Sequence, residues 1–224
     1  MTKRYLIIIF GAVLLNSGLW GLLDEVSAET KDISYEEARN AVSLGDIYFE
    51  KKLYDEAIDK YKEAIEIAPR NLEAHIKLGR AYLYKGNFTE AEIEFRKAVE
   101  LDPANEISHF CLGKSLIAQN KYDEAMEEYK ETLRIKPNFP RALNDLAYIY
   151  KEKGWYDEAM ETIKKALELE PTLAIAHCTL GEIYEGLGEY QKALAEFEVA
   201  KDDPQLSDYA QEIIAKMQAL IKSQ

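Results

Sequence analysis

The sequence predicts an all-α protein built as a stack of like helix hairpins, and three periodic signals predict it. Leu44-Gly45 returns as Leu78-Gly79, Leu112-Gly113, Leu146-Ala147 and Leu180-Gly181, each time after 34 residues. On the same ruler Ala57 returns as Ala91, Ala125, Ala159 and Ala193, and Pro69 as Pro103, Pro137 and Pro171. Self-similarity at such a period marks repeated supersecondary units that bury their faces on one another.

Within one unit, Asn71 to Asn105, the spacing of His75, Leu78, Ala81 and Tyr82 predicts an amphipathic helix over about residues 72–85. Gly86 follows, where a left-handed backbone lets the chain turn back. Thr89 is placed to cap a second helix whose inner stripe is Ala91, Phe95 and Ala98. Gly79 and Ala91 are small, which is read as close approach of two antiparallel helices. Asp102-Pro103 ends the pair, because proline lacks an N–H and disfavours helix in the residue before it.

The amino terminus departs from this pattern. Lys3-Arg4 precede an apolar run from Leu6 to Leu23, and Val26-Ser27-Ala28 supplies small residues before Glu29. Residues 1–28 therefore read as a signal peptide cleaved near Ala28, with export to a periplasmic or extracellular space. The alternative is an N-terminal membrane anchor, since about 20 apolar residues span a bilayer as a helix. Basic residues before the run and acidic ones after it place the bulk of the chain outside the cytoplasm in both cases. Residues 29–34 form a linker, and Ser34 with Glu37 makes a capping box for the first repeat helix.

Five repeats are expected over residues 35–207, at about 38–71, 72–105, 106–139, 140–173 and 174–207. Lys52 and Asn120 stand at turns where Gly86, Gly154 and Gly188 stand in other units. Pro140 is tolerable because it opens a helix. Residues 208–224 complete a C-terminal capping helix, with Tyr209, Ile213, Ile214, Met217, Leu220 and Ile221 on its apolar face and the polar Gln211 and Gln218 at inward-type positions that no following unit covers. Cys111 and Cys178 lie two units apart, too far for a disulfide in a stack.

The pattern of Leu-Gly, aromatic, Ala, aromatic, Ala and Pro at these offsets resembles the tetratricopeptide repeat (TPR) family over nearly all of the chain after residue 37. His75, His109 and His177 stand where that family often has tryptophan, and Thr132 replaces a small alanine. The resemblance implies a right-handed superhelical solenoid whose concave groove holds a peptide or helix. Some members grip the acidic carboxyl tails of heat-shock chaperones. The matching positions here, Val42, Asp46, Lys77, Ile107 and Cys111, or Ile76, Arg80, Cys111, Arg141 and Asp145, do not supply that set.

Composition narrows the function further. A net charge of −13 argues against a general nucleic-acid binder, which needs a basic stripe. The three histidines recur one or more units apart, too far to share a zinc ion. Glu92, Glu94, Glu127 and Glu128 read as solvated charge on second helices rather than as catalytic pairs. No phosphate-cradling glycine loop or nucleophile elbow is present. At 100° per residue, the groove-facing side of the first helices carries Ile76, Arg80, Leu83 and Tyr84 in one unit and Ile107, Phe110, Lys114 and Ile117 in the next. Arg141, Asn144, Tyr148 and Lys151 follow in the fourth. Part of this face touches the neighbouring unit, and the remainder makes an apolar partner-binding groove with basic points at Arg80, Lys114, Arg141 and Lys151.

The expected function is a non-catalytic protein–protein interaction scaffold that binds a peptide or helix of a partner protein and uses no metal or cofactor. The alternative is a self-associating structural component of a cell-envelope assembly, and a homo-oligomer fits either. Nucleic acid is not expected, and membrane contact only through the amino-terminal segment.

Overall fold

The computed structural model describes residues 20–223, with side chains from Tyr35 to Lys222. Much of the expected signal segment, residues 1–19, lies outside the described residues. Among the described residues every regular element is a helix, and no helix is long and apolar enough to cross a membrane. The chain divides into two compact units, one ending at Lys85 and the other beginning at Gly86.

The first unit holds α1 (Trp20–Glu50), α2 (Tyr54–Ile67) and α3 (Leu72–Lys85). α1 pairs with α2, and α2 with α3, around Val42, Ala57, Ile58, Tyr61, Ala64, Leu78 and Ala81. The capping box is not used. α1 runs without a break from Trp20, so Ser34 and Glu37 lie inside a helix instead of at its start. Local capping chemistry is a weak signal, and it gives way where the backbone before it continues as helix. At the turn, Lys52 takes φ 60°, and the Leu53 N–H closes the turn on the Tyr48 carbonyl at 2.9 Å. A left-handed residue with a Cβ costs about 1–2 kcal/mol, which Gly86, Gly154 and Gly188 avoid at their turns.

The second unit holds α4 (Phe88–Leu101), α5 (Glu106–Ile117), α6 (Tyr122–Ile135), α7 (Pro140–Glu152), α8 (Tyr156–Leu169), α9 (Ala174–Gly186), α10 (Tyr190–Ala200) and α11 (Ser207–Ser223). α5 pairs with α6, α7 with α8 and α9 with α10, and each pair leans on the next through α6–α7 and α8–α9 contacts. Thr89 does not cap α4. Asn87 holds that position, and neither side chain makes a cap hydrogen bond. Pro140 opens α7 as expected, and Asn120 turns with φ 59°. Thr132 is fully buried and returns its hydroxyl proton to the Glu128 carbonyl at 2.9 Å. In α11, Ala210, Ile214 and Met217 are buried at the register that Ala176, Leu180 and Ile183 hold in α9. The last helix thus repeats the buried face of a first helix one period on. Gln211 and Gln218 stay exposed.

The small residue after each leucine makes room for a side chain rather than for a second backbone. A Cβ added at Gly45 would stand 2.5 Å from the Tyr61 ring, one at Gly113 would stand 2.8 Å from Tyr129, and one at Gly181 2.8 Å from Phe197. Where the facing residue is the smaller Ile163, Ala147 occupies the glycine position and packs into the same core.

One cluster of charge contradicts the solvent-face expectation. Glu92 and Glu94 are buried to within a tenth of their surface. Glu92 receives hydrogen bonds from Lys121 Nζ, Gln119 Nε2 and Arg96 Nε, each at 2.8 Å, and Arg96 reaches on to Glu124. Burial by itself would raise the Glu92 pKa, but the bonds from Lys121, Gln119 and Arg96 outweigh it and hold the carboxyl at about 2. A depressed carboxylate stabilises the fold above its ordinary pKa of 4.5 and loses that contribution as pH falls towards 2. Glu92→Gln is therefore expected to cost about 1–3 kcal/mol at pH 7 and nothing near pH 2, read from urea midpoints at the two pH values. An equal cost at both would show that packing, not charge, is what Glu92 supplies.

Candidate functional site

The groove-facing side of the first helices is described within each unit. In the first, Asp46, Phe49, Glu50, Tyr61, Lys77 and Arg80 line a recess of about 290 Å³. Tyr61 donates to one oxygen of Asp46 at 2.8 Å, and Lys77 Nζ donates to the other at 2.5 Å and to Glu73 at 2.8 Å. Burial lowers the Lys77 pKa, but the two carboxylates more than reverse that. Burial and the Asp46 bond both raise the pKa of Tyr61. Arg80 makes no ion pair among the described residues and lies 5.6 Å from the Phe49 ring centre. Tyr84 is exposed beside it, edge-on to Phe49 and stacked on Tyr54. Ile76 and Leu83 are half-buried and do not line the recess.

In the second unit, Phe110 is half-buried, with ring centres 4.8 Å from Phe139 and 5.8 Å from Tyr129. Lys114 Nζ lies 5.8 Å from the Phe110 ring centre. Lys114 and Arg141 are exposed, and neither makes an ion pair among the described residues. Between their helices, burial raises the pKa of Asp145, while Lys114, Asn144, Tyr129 and Arg141 pull against the rise. Burial, reinforced by the Asp145 charge, also raises Tyr129. The Asp145 charge reaches Tyr129, whose buried hydroxyl makes no geometric hydrogen bond among the described residues. Ile107 is exposed, and Ile117 is half-buried.

Two of the expected groove residues are used inside the stack instead. Asn144 is 3% exposed; its amide oxygen accepts from Thr179 at 2.9 Å and its nitrogen donates to Asp145 at 3.0 Å. That amide ties α7 to α9 and is not available to a ligand. Lys151 is not the free basic point that helical spacing predicts, because it sits between Glu182 at 2.6 Å and Glu152 at 2.7 Å and is neutralised. Its Nζ also lies 4.4 Å above the half-buried Tyr148, whose pKa is pushed up to about 12 by burial and then by Glu152.

Helical spacing assigns no role to the two tyrosines at the groove floor. Where the second helix carries Tyr61 or Tyr129, the nearby first helices carry an acid and a base, Asp46 with Lys77 and Lys114 with Asp145. The order of charge is swapped between the two sites. Where the floor residue is Ile163 or Phe197, no such pair stands in register. A phenolic hydroxyl in a low-dielectric floor needs polar neighbours, so the substitution of Tyr for Phe was a readable signal.

The histidines pack as structural residues. His109 Nε2 meets the Pro103 carbonyl at 3.2 Å and Nδ1 meets Glu128 at 2.6 Å; His177 repeats this with Pro171 at 2.9 Å and Glu196 at 2.7 Å. His75 likewise meets the Pro69 carbonyl at 3.1 Å. The fourth repeat has Leu143 in place of the histidine and Thr162 in place of the glutamate. Cys111 and Cys178 are buried and not in a disulfide, and burial, then Glu182, pushes the Cys178 thiol up to about 11. Among the described residues no group of three or more metal-ligating side chains forms.

Helix hairpins in 34-residue register, small residues beneath an aromatic and glycine turns define a tetratricopeptide-type helical-repeat protein. The family model of the Cilia and flagella-associated protein 70 C-terminal domain matches residues 22–217, and the chain belongs to this tetratricopeptide-repeat family. Among solved structures, MamA is 26% identical over 77% of this chain and 97% of its own, with a TM-score of 0.62. The first TPR domain of Spaghetti (RPAP3), bound to the HSP90 peptide SRMEEVD, is 28% identical over 53% of this chain and 94% of its own, with a TM-score of 0.52. The thermophilic TPR protein TTC0263 of Thermus thermophilus is 22% identical over 81% and 99% of the two chains, with a TM-score of 0.68, and shares the fold. No curated protein matches the sequence.

Proposed function

We propose that this chain is a non-catalytic scaffold that holds an acidic peptide or helix of a partner protein against the groove-facing side of α5 and α7. The observation that carries the proposal is the state of Lys114 and Arg141. In a chain of net charge −13, both stand exposed and make no ion pair among the described residues, sharing only the longer-range charge of Asp145, and Lys114 lies over the Phe110 ring. Lys121, Lys136, Lys151 and Lys153, by contrast, all meet an acid. Cations outside any ion pair, next to a half-buried aromatic side chain, suit a ligand that brings both acidic and apolar groups. The peptide-bound RPAP3 domain supports peptide binding as the mode, though its HSP90 ligand is not carried over because this chain lacks the matching side chains.

Capture from envelope fractions tests the reading. Immobilised wild-type chain is expected to retain a protein that Lys114→Gln/Arg141→Gln does not. The envelope is the place to look because Lys3-Arg4, the apolar run after them and the acidic residues beyond favour export. Intact mass of the purified protein is expected to begin at Glu29; a mass that includes residues 1–28 supports the anchored form instead.

A further inference from the structure

The leucine that opens each Leu-Gly pair is buried in four repeats and not in the first. Leu78, Leu112, Leu146 and Leu180 are at most 6% exposed, whereas Leu44 is 37% exposed. Three residues on, Ala81, Ser115, Ile149 and Ile183 are fully buried, whereas Ile47 is 48% exposed. Asn40 is exposed where its equivalents Ala74, Ser108, Ala142 and Ala176 are sealed. Internal repeats seal this face by stacking, so on α1 it is an open stacking surface of the shape that a helix covers.

Charge on the same stripe says which helix. At 100° per residue, Glu37, Asn40, Leu44, Ile47 and Lys51 fall within an arc of about 80°. The Lys51 N–H bonds to the Ile47 carbonyl and keeps that residue on the helical path. Glu37 and Lys51 are exposed, have no ion pair among the described residues, and lie seven residues to either side of Leu44. Two antiparallel copies of α1 crossing at Leu44 bring Glu37 of each opposite Lys51 of the other, about 10 Å from the crossing point. A parallel pairing would set glutamate on glutamate. The outer side of α11, at the other end of the chain, offers the exposed Gln211 and Gln218 and no apolar match.

We propose that α1 is a homotypic interface: two copies of this chain join through the Glu37–Leu44–Ile47–Lys51 stripe in antiparallel, two-fold fashion. A two-fold contact is self-complementary and closes at two copies. It uses no residue of α5 or α7, so it is argued apart from the groove reading.

Sedimentation equilibrium of the full chain over a range of concentrations tests this, with circular dichroism to verify folding. The wild type is expected to reach a dimer and no further. Ile47→Glu is expected to raise the dissociation constant at least about tenfold. Glu37→Lys and Lys51→Glu should each weaken the dimer, and the double variant Glu37→Lys/Lys51→Glu should restore it. A wild type that stays monomeric overturns the proposal, as does a mass that grows beyond two copies. Association unchanged by Ile47→Glu, which assigns it to the apolar amino-terminal run, overturns it too, as does a double variant no stronger than the singles.

Discussion

Tyr129→Ala is expected to destabilise the second unit by about 3–5 kcal/mol, the largest stability effect of any single substitution considered. Tyr129 is fully buried, its ring rests on the bare Gly113 position, and Phe110 packs against it. Deleting the ring leaves a cavity that a glycine cannot fill. The converse change, Gly113→Ala, sets two effects against each other. Alanine is favoured over glycine in a helix by about 1 kcal/mol. Its Cβ, however, would lie 2.8 Å from the Tyr129 ring, and overpacking of a sealed core costs about 1–3 kcal/mol. A net loss is expected because the clash is with a buried ring that has nowhere to move. Gly113→Ala/Tyr129→Ile recreates the Ala147–Ile163 combination of the fourth repeat and should recover most of the loss. Urea unfolding followed by circular dichroism measures all three variants. Failure of the double variant to recover would show that the glycine answers to something other than the ring.

Removing both unmatched cations should weaken capture of the acidic partner about a hundredfold, at roughly tenfold for each of Lys114→Gln and Arg141→Gln. Neutral glutamine is the better probe because a glutamate would add a second carboxylate beside Asp145 and disturb the fold. Binding by the wild type should also fall as salt rises, since these charges are exposed and screened. Lys164→Gln, at an exposed lysine on α8 without an ion pair among the described residues, serves as the control and should change nothing. Capture that survives the double variant and high salt would move the binding surface away from α5 and α7.

The hairpin pattern was legible because it rests on local chemistry. The helix over residues 72–85, the inner stripe Ala91, Phe95 and Ala98, the left-handed turns at Lys52 and Asn120 and the helix opened by Pro140 follow from spacing and backbone preference. The charge pattern is hidden from such spacing, because its partners belong to different hairpins. Lys77 with Asp46, Lys85 with Asp55, Lys153 with Asp123, Lys151 with Glu182 and Lys216 with Glu185 are 30 or 31 residues apart. That interval is one period less three or four residues, which is the reach of one helical turn carried over to the next repeat. Glu92 meets Lys121 across a shorter interval of 29 residues, again between different hairpins. A single-helix reading, which sees only neighbours three or four apart, leaves Glu92 in solvent.

By itself the sequence determined the architecture: a 34-residue period, the residues that turn the chain, and the sizes that interlock within a hairpin. These depend on short-range sterics and hydrophobic spacing, which a chain carries wherever it folds. Only the tertiary structure decided which charges remain for a partner, because neutralisation depends on distances between helices. Packing of one hairpin against the next takes Lys151 and Asn144 out of the groove, buries Glu92, and leaves Lys114 and Arg141 unmatched.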